Sequence, residues 1–365
     1  MVPDKPLVPL EGVPLHPFST LGVGGAARWF VRAERIEDVS AAHHWCAARN
    51  VPLFVLGGGS NVVIADEGFA GLVLQMAVMG VTVATRSGSA FVTAGAGECW
   101  DRLVESVVGQ GLSGVECLSG IPGTVGGTPI QNVGAYGQEV STTIESIQAF
   151  DRATATVVDV SSRDCAFSYR MSRFKGRDAG RFVVCGVRFR FEPGPPTVTY
   201  PDIIAEVERG RTARASLVDV RQAVLAVRRR KGMVLDPADP DTRSVGSFFM
   251  NPVVTAEDRE RIAVIAGERV PGFVLDDGRV KVPAAWLIER SGFRKGQAEG
   301  AVGLSGKHPL AIANRGGATS RDVLRFAVRV KRAVMDWCGV WLRPEPVFVG
   351  LDEDQDVEFL QKARA

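Results

Sequence analysis

The sequence predicts an α+β protein of two or three domains with much sheet, and three observations carry that reading. At 365 residues, the chain is long enough for more than one core. Its first half is a succession of short alternating apolar runs with few helical stretches between them. At Pro193-Gly194-Pro195-Pro196 the pattern breaks, which marks a domain boundary or an excursion. Hydrophobic residues make up 45% and charged residues 23%, ordinary for a globular protein with a sizeable core. A formal net charge of +2 offers no argument for nucleic acid as a partner.

The elements follow in order. The first twenty residues read as an irregular arm. ARWFVRA (27–33) alternates like a strand, and IEDVSAAHHWCAARN (36–50) reads as a helix that stops at Asn50. VPLFVLG and NVVIAD are short strands on either side of a glycine run. LVLQM, VTVATR and SAFVTAGAG are further strands, and ECWDRLVESVVGQG is a helix. TIESIQAF, ATVVDV and GRFVVCGVRFRFEPG continue the sheet. LVDVRQAVLAVRRRK (217–231) is a helix with Val220, Val224 and Val227 on one face, Asp219 as its N-cap and four basic residues at its dipole-favoured end. A loop rich in proline and aspartate leads into SFFMNPVV, read as a strand. Helices follow at ERIAVIAG, AAWLIERSG and SRDVLRFAVRVKRAVMDWCG, and residues 351–365 read as a polar tail.

Glycine is concentrated in two places. Gly57-Gly58-Gly59-Ser60-Asn61 follows a strand, as a nest of backbone N–H groups around a phosphate would; a tight turn is the plain alternative. GIPGTVGGTPIQNVGAYG (120–137) holds six glycines in eighteen positions. Glycine costs conformational entropy, so such density calls for unusual dihedrals or for a large ligand lying on bare backbone. Two such loops edged by Ser60, Asn61, Thr124, Thr128, Gln131 and Asn132 suit a long ligand, for which a dinucleotide diphosphate is a natural candidate. Generic nucleotide motifs fit less well. Gly22 to Ala27 matches GxGxxA by letters but is followed by a strand rather than a helix. No Walker A loop is present.

With these segments in view, the chain resembles the UDP-N-acetylenolpyruvoylglucosamine reductase family. The matching stretches are FSTLGVGGAARWF, VLGGGSNVVIADEGFAGLVL, GLSGVECLSGIPGTVGGTPIQNVGAYG, CAFSYRMSRFK, SVGSFFMNP, KVPAAWLIERSGF and WLRPEPVFVG, in family order over roughly residues 16–350. The resemblance implies a PCMH-type FAD-binding domain of two α+β subdomains and a separate α+β substrate-binding domain. It implies tightly but non-covalently bound FAD, NADPH as hydride donor, and a UDP-sugar enolpyruvyl ether as substrate, the two using one cleft in turn. The blocks it suggests are an arm over 1–20, the FAD-binding domain over 21–192, a tyrosine loop and basic helix over 193–236, the substrate-binding domain over 237–338, a return segment over 339–350 and the tail over 351–365.

The resemblance also assigns residues. Gly57, Gly58, Gly59, Ser60 and Asn61 would take the FAD diphosphate. Gly120, Ile121, Pro122, Gly123, Thr124, Gly126, Gly127, Gln131, Asn132, Gly134 and Ala135 would pack on the flavin and its ribityl chain, their N–H groups meeting phosphate and ring heteroatoms. Ser247 in GSFF matches the proton donor, a role that a hydroxyl fills only when closely placed. Arg170 matches the arginine that stabilises the enolate and the substrate carboxylate, a task suited to a planar guanidinium. Glu345, held between Pro344 and Pro346, matches the active-site glutamate. Tyr200 matches a tyrosine on a mobile loop that covers the nucleotide-sugar in one subtype, and Lys231, Asn251, Lys281 and Gln297 are candidates for diphosphate or sugar contacts. The stretch between Lys231 and Gly246 is longer than in the shorter members.

The six cysteines are scattered, with no CxxC, and read as buried reduced thiols; no metal site is indicated. The start is acidic and proline-rich, and no run approaches eighteen apolar residues, so a cytoplasmic protein without membrane insertion is expected; a monomer is expected as well, although no residue pattern carries that. Two rival readings are an alcohol or sugar oxidase on the same FAD-binding fold and a non-catalytic nucleotide-sugar sensor. GSFFMNP with RPEP speaks against the oxidase, and retention of Arg170, Ser247 and Glu345 against the sensor.

Overall fold

The computed structural model describes residues 7–209 and 214–363. The first six residues of the expected arm, 210–213 of the expected linking block and the last two of the expected tail lie outside them. The chain divides into two compact units. The first takes the chain up to Val13, then Ala27–Gly59 and Ala70–Val234; the second takes Pro14–Ala26, Ser60–Phe69 and Leu235 onward. Both mix helix with sheet, as an α+β chain should. The division is discontinuous in sequence, unlike the linear blocks read from the resemblance.

The first unit is built on two sheets. The smaller has strand order Leu10–Pro14, Ala26–Ala33, Phe69–Met76, Leu53–Leu56, the last two running parallel. Helix α1 (Ile36–Arg49) ends at Asn50, which sits in the left-handed region at φ 51°. The larger sheet runs Thr156–Ser161, Ile144–Asp151, Phe182–Pro193, Ser89–Gly95, Val81–Arg86, all antiparallel, with Leu112–Ser113 paired to the far end of Phe182–Pro193. Helix α2 (Trp100–Gly109) buries Trp100, Leu103, Val104, Val107 and Val108 in the shared core.

Beyond the break at 193–196 the chain forms two more helices, α3 (Pro201–Glu208) and α4 (Leu217–Arg230). The reading had a loop where α3 lies, and Tyr200 is its N-cap. The cap of α4 also differs from expectation. Ser216 is the N-cap, and Asp219 is the third helical residue, its carboxylate accepting from the Ser216 N–H at 2.8 Å. That reciprocal box satisfies two otherwise orphaned donors. Val220, Ala223, Val224 and Val227 of α4 close on Ile203 and Cys117, each valine worth about 1.5–3 kcal/mol of burial.

The second unit carries α5 (Ala256–Ala266), α6 (Ala284–Arg290), α7 (Ser320–Cys338) and α8 (Gln355–Gln361) around short strands. Val62–Ile64 pairs in parallel with Val347–Val349. SFFMNPVV is mostly irregular, with only Val253–Val254 as strand, because its backbone bonds go to separate partners. Two further corrections concern the ends. Residues 10–14 of the expected arm are a sheet strand and Leu15 is fully buried. The expected polar tail contains α8, whose Val357 and Leu360 join the core of this unit. Lys331 of α7, itself fully buried, donates from Nζ to the carbonyls of Phe359, Leu360 and Lys362 at 2.7–2.9 Å. They lie at the C-terminal end of α8, where helical carbonyls run short of N–H partners; the Phe359 carbonyl also accepts from the Lys362 N–H at 3.3 Å. Burial and the charge of Arg343 push the Lys331 amine down to about 8.

Candidate functional site

In the first unit, bare backbone faces bare backbone. A Cβ added to Gly58 would lie 2.7 Å from the Gly123 Cα, and one on Gly57 would lie 3.0 Å from Thr124 Oγ1. No side chain larger than hydrogen fits between these two runs. The Thr124 hydroxyl is buried and has no hydrogen-bond partner in the protein, an arrangement that calls for a polar ligand. Glycine cradle and orphaned hydroxyl together fit the diphosphate and ribityl chain of an FAD.

Other parts of the loop serve the protein itself. Gly120 N–H donates to Asp101 at 2.6 Å, Gly126 N–H to Ala96 O at 2.9 Å, and Gly127 N–H to Thr124 O at 3.0 Å. Those three amides are therefore not the cofactor donors expected of them. Gly126 is glycine because its Cβ would stand 2.5 Å from that of Ala96. Asn132 is buried, and its amide is fully engaged, donating to Glu139 at 2.7 Å and Ser168 O at 3.1 Å and accepting from Ser141 N–H at 3.2 Å. It shapes the loop from inside. Gln131 accepts from Lys175 at 3.3 Å. Ile121, Pro122, Gly134 and Ala135 are half-buried along the same stretch.

Arg170 stands in the turn Ser168–Met171, whose ends exchange two backbone hydrogen bonds. Its φ of 55° lies in the left-handed region, which costs a non-glycine residue on the order of 1–3 kcal/mol. Its guanidinium runs beside Gly134, where an added Cβ would come 3.5 Å from Nη1.

A cationic cluster forms next to it. Tyr136 packs edge-on against Tyr200 at 5.4 Å, and Lys231 Nζ lies 5.8 Å from the Tyr136 ring centre while bonding Asp202 at 3.0 Å. Burial holds the Tyr136 phenol above its usual range. Arg221 of α4 grips Asp101 with two bonds at 2.6 and 3.0 Å. Burial would raise the Asp101 carboxyl, but hydrogen bonds from Arg221 and the Gly120 amide outweigh it and hold the group below its ordinary value. Seven residues along α4, Arg228 is also buried; burial lowers its guanidinium, and Tyr136 hydrogen-bonds it. Arg221, Arg228, Asp101 and Tyr136 were missed from the sequence. The available signal was two arginines seven apart, each one residue after a buried valine of α4, and so on one helix face.

In the second unit, Ser247 and Glu345 are brought onto adjacent segments. Phe249 bridges Pro344, Glu345 N–H donates to Phe248 O at 2.9 Å, and Met250 N–H to Arg343 O at 2.9 Å. Phe248 and Phe249 are buried to 0% and 1% exposure, so two aromatic anchors fix the residue just before them, Ser247. Gly246, at φ 74°, has open space at its missing Cβ, room for a group to approach. Asn61 clamps the glutamate segment from the other side. Its Nδ2 donates to Glu345 O at 3.3 Å, and its own carbonyl accepts from Val347 N–H at 3.0 Å. Ser60 precedes it, half-buried.

The remaining candidates have structural tasks as well. Asn251 Oδ1 accepts from the Ala284 N–H at 2.9 Å and so steadies the start of α6. Gln297 Oε1 accepts from Arg294 N–H at 3.1 Å. Lys281 pairs with Val253 and Phe273 in a small sheet, its Nζ 6.0 Å from the Phe273 ring centre. Of the cysteines, five are buried and Cys99 is exposed, the exception to the expectation for that set. Among the described residues no helix is long and apolar enough to cross a membrane.

Residues 27–161 match the family model of an FAD binding domain, which with the cradle above defines the class, an FAD-binding oxidoreductase. Residues 236–349 match the C-terminal domain of UDP-N-acetylenolpyruvoylglucosamine reductase. Proteins of that name are similar along nearly the whole chain. The one from Thermobifida fusca is 46% identical over 93% of this chain and 98% of its own; that from Streptomyces coelicolor is 45% identical over 96% and 93%. The solved reductase from Thermus caldophilus superposes with a TM-score of 0.64 at 25% identity, covering 94% of this chain and all of that one. The chain belongs to the UDP-N-acetylenolpyruvoylglucosamine reductase family.

Proposed function

We propose that the protein reduces UDP-N-acetylenolpyruvoylglucosamine to UDP-N-acetylmuramate at the expense of NADPH, as a step of peptidoglycan precursor synthesis in the cytoplasm. Family membership supports the reaction. The observation that supports assigning it to these residues is the pairing of the Ser247 segment with the Glu345 segment within the second unit. Bound FAD would supply the two-electron chemistry, taking hydride from NADPH and delivering it to the terminal vinyl carbon of the enolpyruvyl ether.

The protein's own groups do the rest. Gly57, Gly58, Gly59 and Gly123, on two glycine runs that pack backbone to backbone, would border the cofactor, and the Thr124 hydroxyl would bond it. Arg170 meets the substrate carboxylate and the negative charge that develops next to it bidentately, from a turn that holds its backbone. The Ser247 hydroxyl places its proton on the carbon bearing the carboxylate. Glu345 shares that proton or hydrogen-bonds the enolate, its main chain fixed by Phe248 and Asn61. Tyr200, Lys231, Lys281, Asn251 and Gln297 are proposed contacts for the nucleotide-sugar, Lys231 only after loosening its bond to Asp202. The test is product identity. Purified protein supplied with FAD, NADPH and the enolpyruvyl substrate should yield UDP-N-acetylmuramate, two hydrogens heavier, by mass spectrometry. Consumption of NADPH without that product would overturn the proposal.

A further inference from the structure

Glu116 is fully buried, and no cation among the described residues forms an ion pair with it. A carboxylate taken out of water without a counter-charge is costly unless hydrogen bonds to its oxygens replace the lost hydration. Here each oxygen accepts one backbone N–H. Oε2 takes that of Gly114 at 2.7 Å, two residues back, and Oε1 takes that of Thr197 at 3.1 Å, 81 residues on. The first bond closes a local turn. The second reaches the exposed segment just beyond the break at 193–196. A carboxylate suits this place better than an amide, because both groups that face it are donors.

What the second bond holds is the approach to Tyr200. The Thr197 carbonyl accepts from Cys117 Sγ at 3.9 Å, so both main-chain groups of Thr197 are tied to one short turn, Glu116–Leu118. Three residues further on stands Tyr200, and three beyond it Ile203, fully buried against α4. Between Thr197 and Tyr200 the chain passes over Gly137, at φ 87°, where an added Cβ would come 2.6 Å from Thr199 Oγ1. The Tyr200 ring is 46% exposed and meets Tyr136 edge-on. It is therefore offered to solvent midway between two fixed points of main chain, one of them set by a buried charge.

We propose that Glu116 is a positioning residue for nucleotide-sugar binding: by holding the Thr197 N–H it sets where Tyr200 meets the substrate, an inference that rests on the reading of Tyr200 as a nucleotide-sugar contact. The experiment is steady-state kinetics, with FAD content, on wild type, Glu116→Gln, Tyr200→Ala and the double variant. Glu116→Gln keeps the shape, yet its amide nitrogen turns a donor toward one of the two N–H groups. FAD loading should be unchanged. KM for UDP-N-acetylenolpyruvoylglucosamine should rise about tenfold or more, with kcat within about threefold of wild type, as when binding common to ground and transition states is lost. Because Glu116 acts through Tyr200, the double variant should have the KM of Tyr200→Ala alone. A Glu116→Gln enzyme with the wild-type KM, or KM effects that multiply in the double variant, overturns the proposal.

Should Glu116→Gln not fold, exposed Thr197 supplies a second pair of variants that leaves the buried carboxyl in place. Thr197→Pro removes the held N–H and should raise KM as Glu116→Gln does, whereas Thr197→Ala keeps it and should not. Equal KM in the two refutes the role. Failure of the underlying reading looks different. Tyr200→Ala with the wild-type KM removes both, whereas a raised KM in Tyr200→Ala with none in Thr197→Pro removes only the role of Glu116.

Discussion

Arg170 shows the balance between stability and use at a single residue. At φ 55°, glycine would be relaxed where any L side chain is strained. Arg170→Gly should therefore be more stable than Arg170→Ala by about 1 kcal/mol in denaturant unfolding, while both lose turnover by at least roughly 10²-fold through the missing guanidinium. Equal stability of the two would mean that the turn is not strained. A second residue-scale consequence concerns Asp101. Its folded carboxyl is depressed, so its contribution is fully present above the unfolded value near 3.9 and is lost as pH falls through the lower folded one. Asp101→Asn should make the loss of stability between about pH 6 and about pH 3 shallower than in wild type. An unchanged acid limb in denaturant midpoints would contradict the pairing.

Elements explain why some of the architecture was legible and some was not. Helices α1, α2, α4 and α7 stood out because each repeats apolar residues at helical spacing over ten or more positions. Helices α3 and α8 have eight and seven residues, too short for a period to show, and α8 opens in an acidic stretch that reads as solvated. What makes α8 part of the fold is Lys331, some thirty residues earlier, which no local pattern announces. Removing the chain after Gly350 should cost several kcal/mol. It exposes the core beneath Leu351, Val357 and Leu360, and it removes the three carbonyls that hold the Lys331 amine. A truncated protein with an unchanged denaturant midpoint would restore the plain-tail reading.

Across the whole molecule, motif letters pointed to a candidate site more readily than they assigned its atoms. The glycine runs, GSFF and RPEP were visible in sequence, and the pairing of Phe249 with Pro344 is a long-range fact that only the fold supplies. Asn132 and Asn251 looked like ligand contacts because amides beside glycine or aromatic motifs often are; in the fold their amides are turned to the protein's own backbone. Arg228 was hidden in RRRK, where four adjacent cations look like one solvated helix end although this one points inward. Arg170 belongs to the first unit and Ser247 with Glu345 to the second.

The most direct measurement is anaerobic stopped-flow absorbance of the flavin band, with NADPH added first and UDP-N-acetylenolpyruvoylglucosamine second, in wild type and Ser247→Ala. The account predicts bleaching by NADPH in both proteins and rapid recovery on substrate in wild type. In the mutant, recovery should be slower by roughly 10²-fold or more, the scale of a lost general acid. A wild-type flavin that bleaches with NADPH yet recovers only with oxygen would contradict the account and make the protein an oxidase.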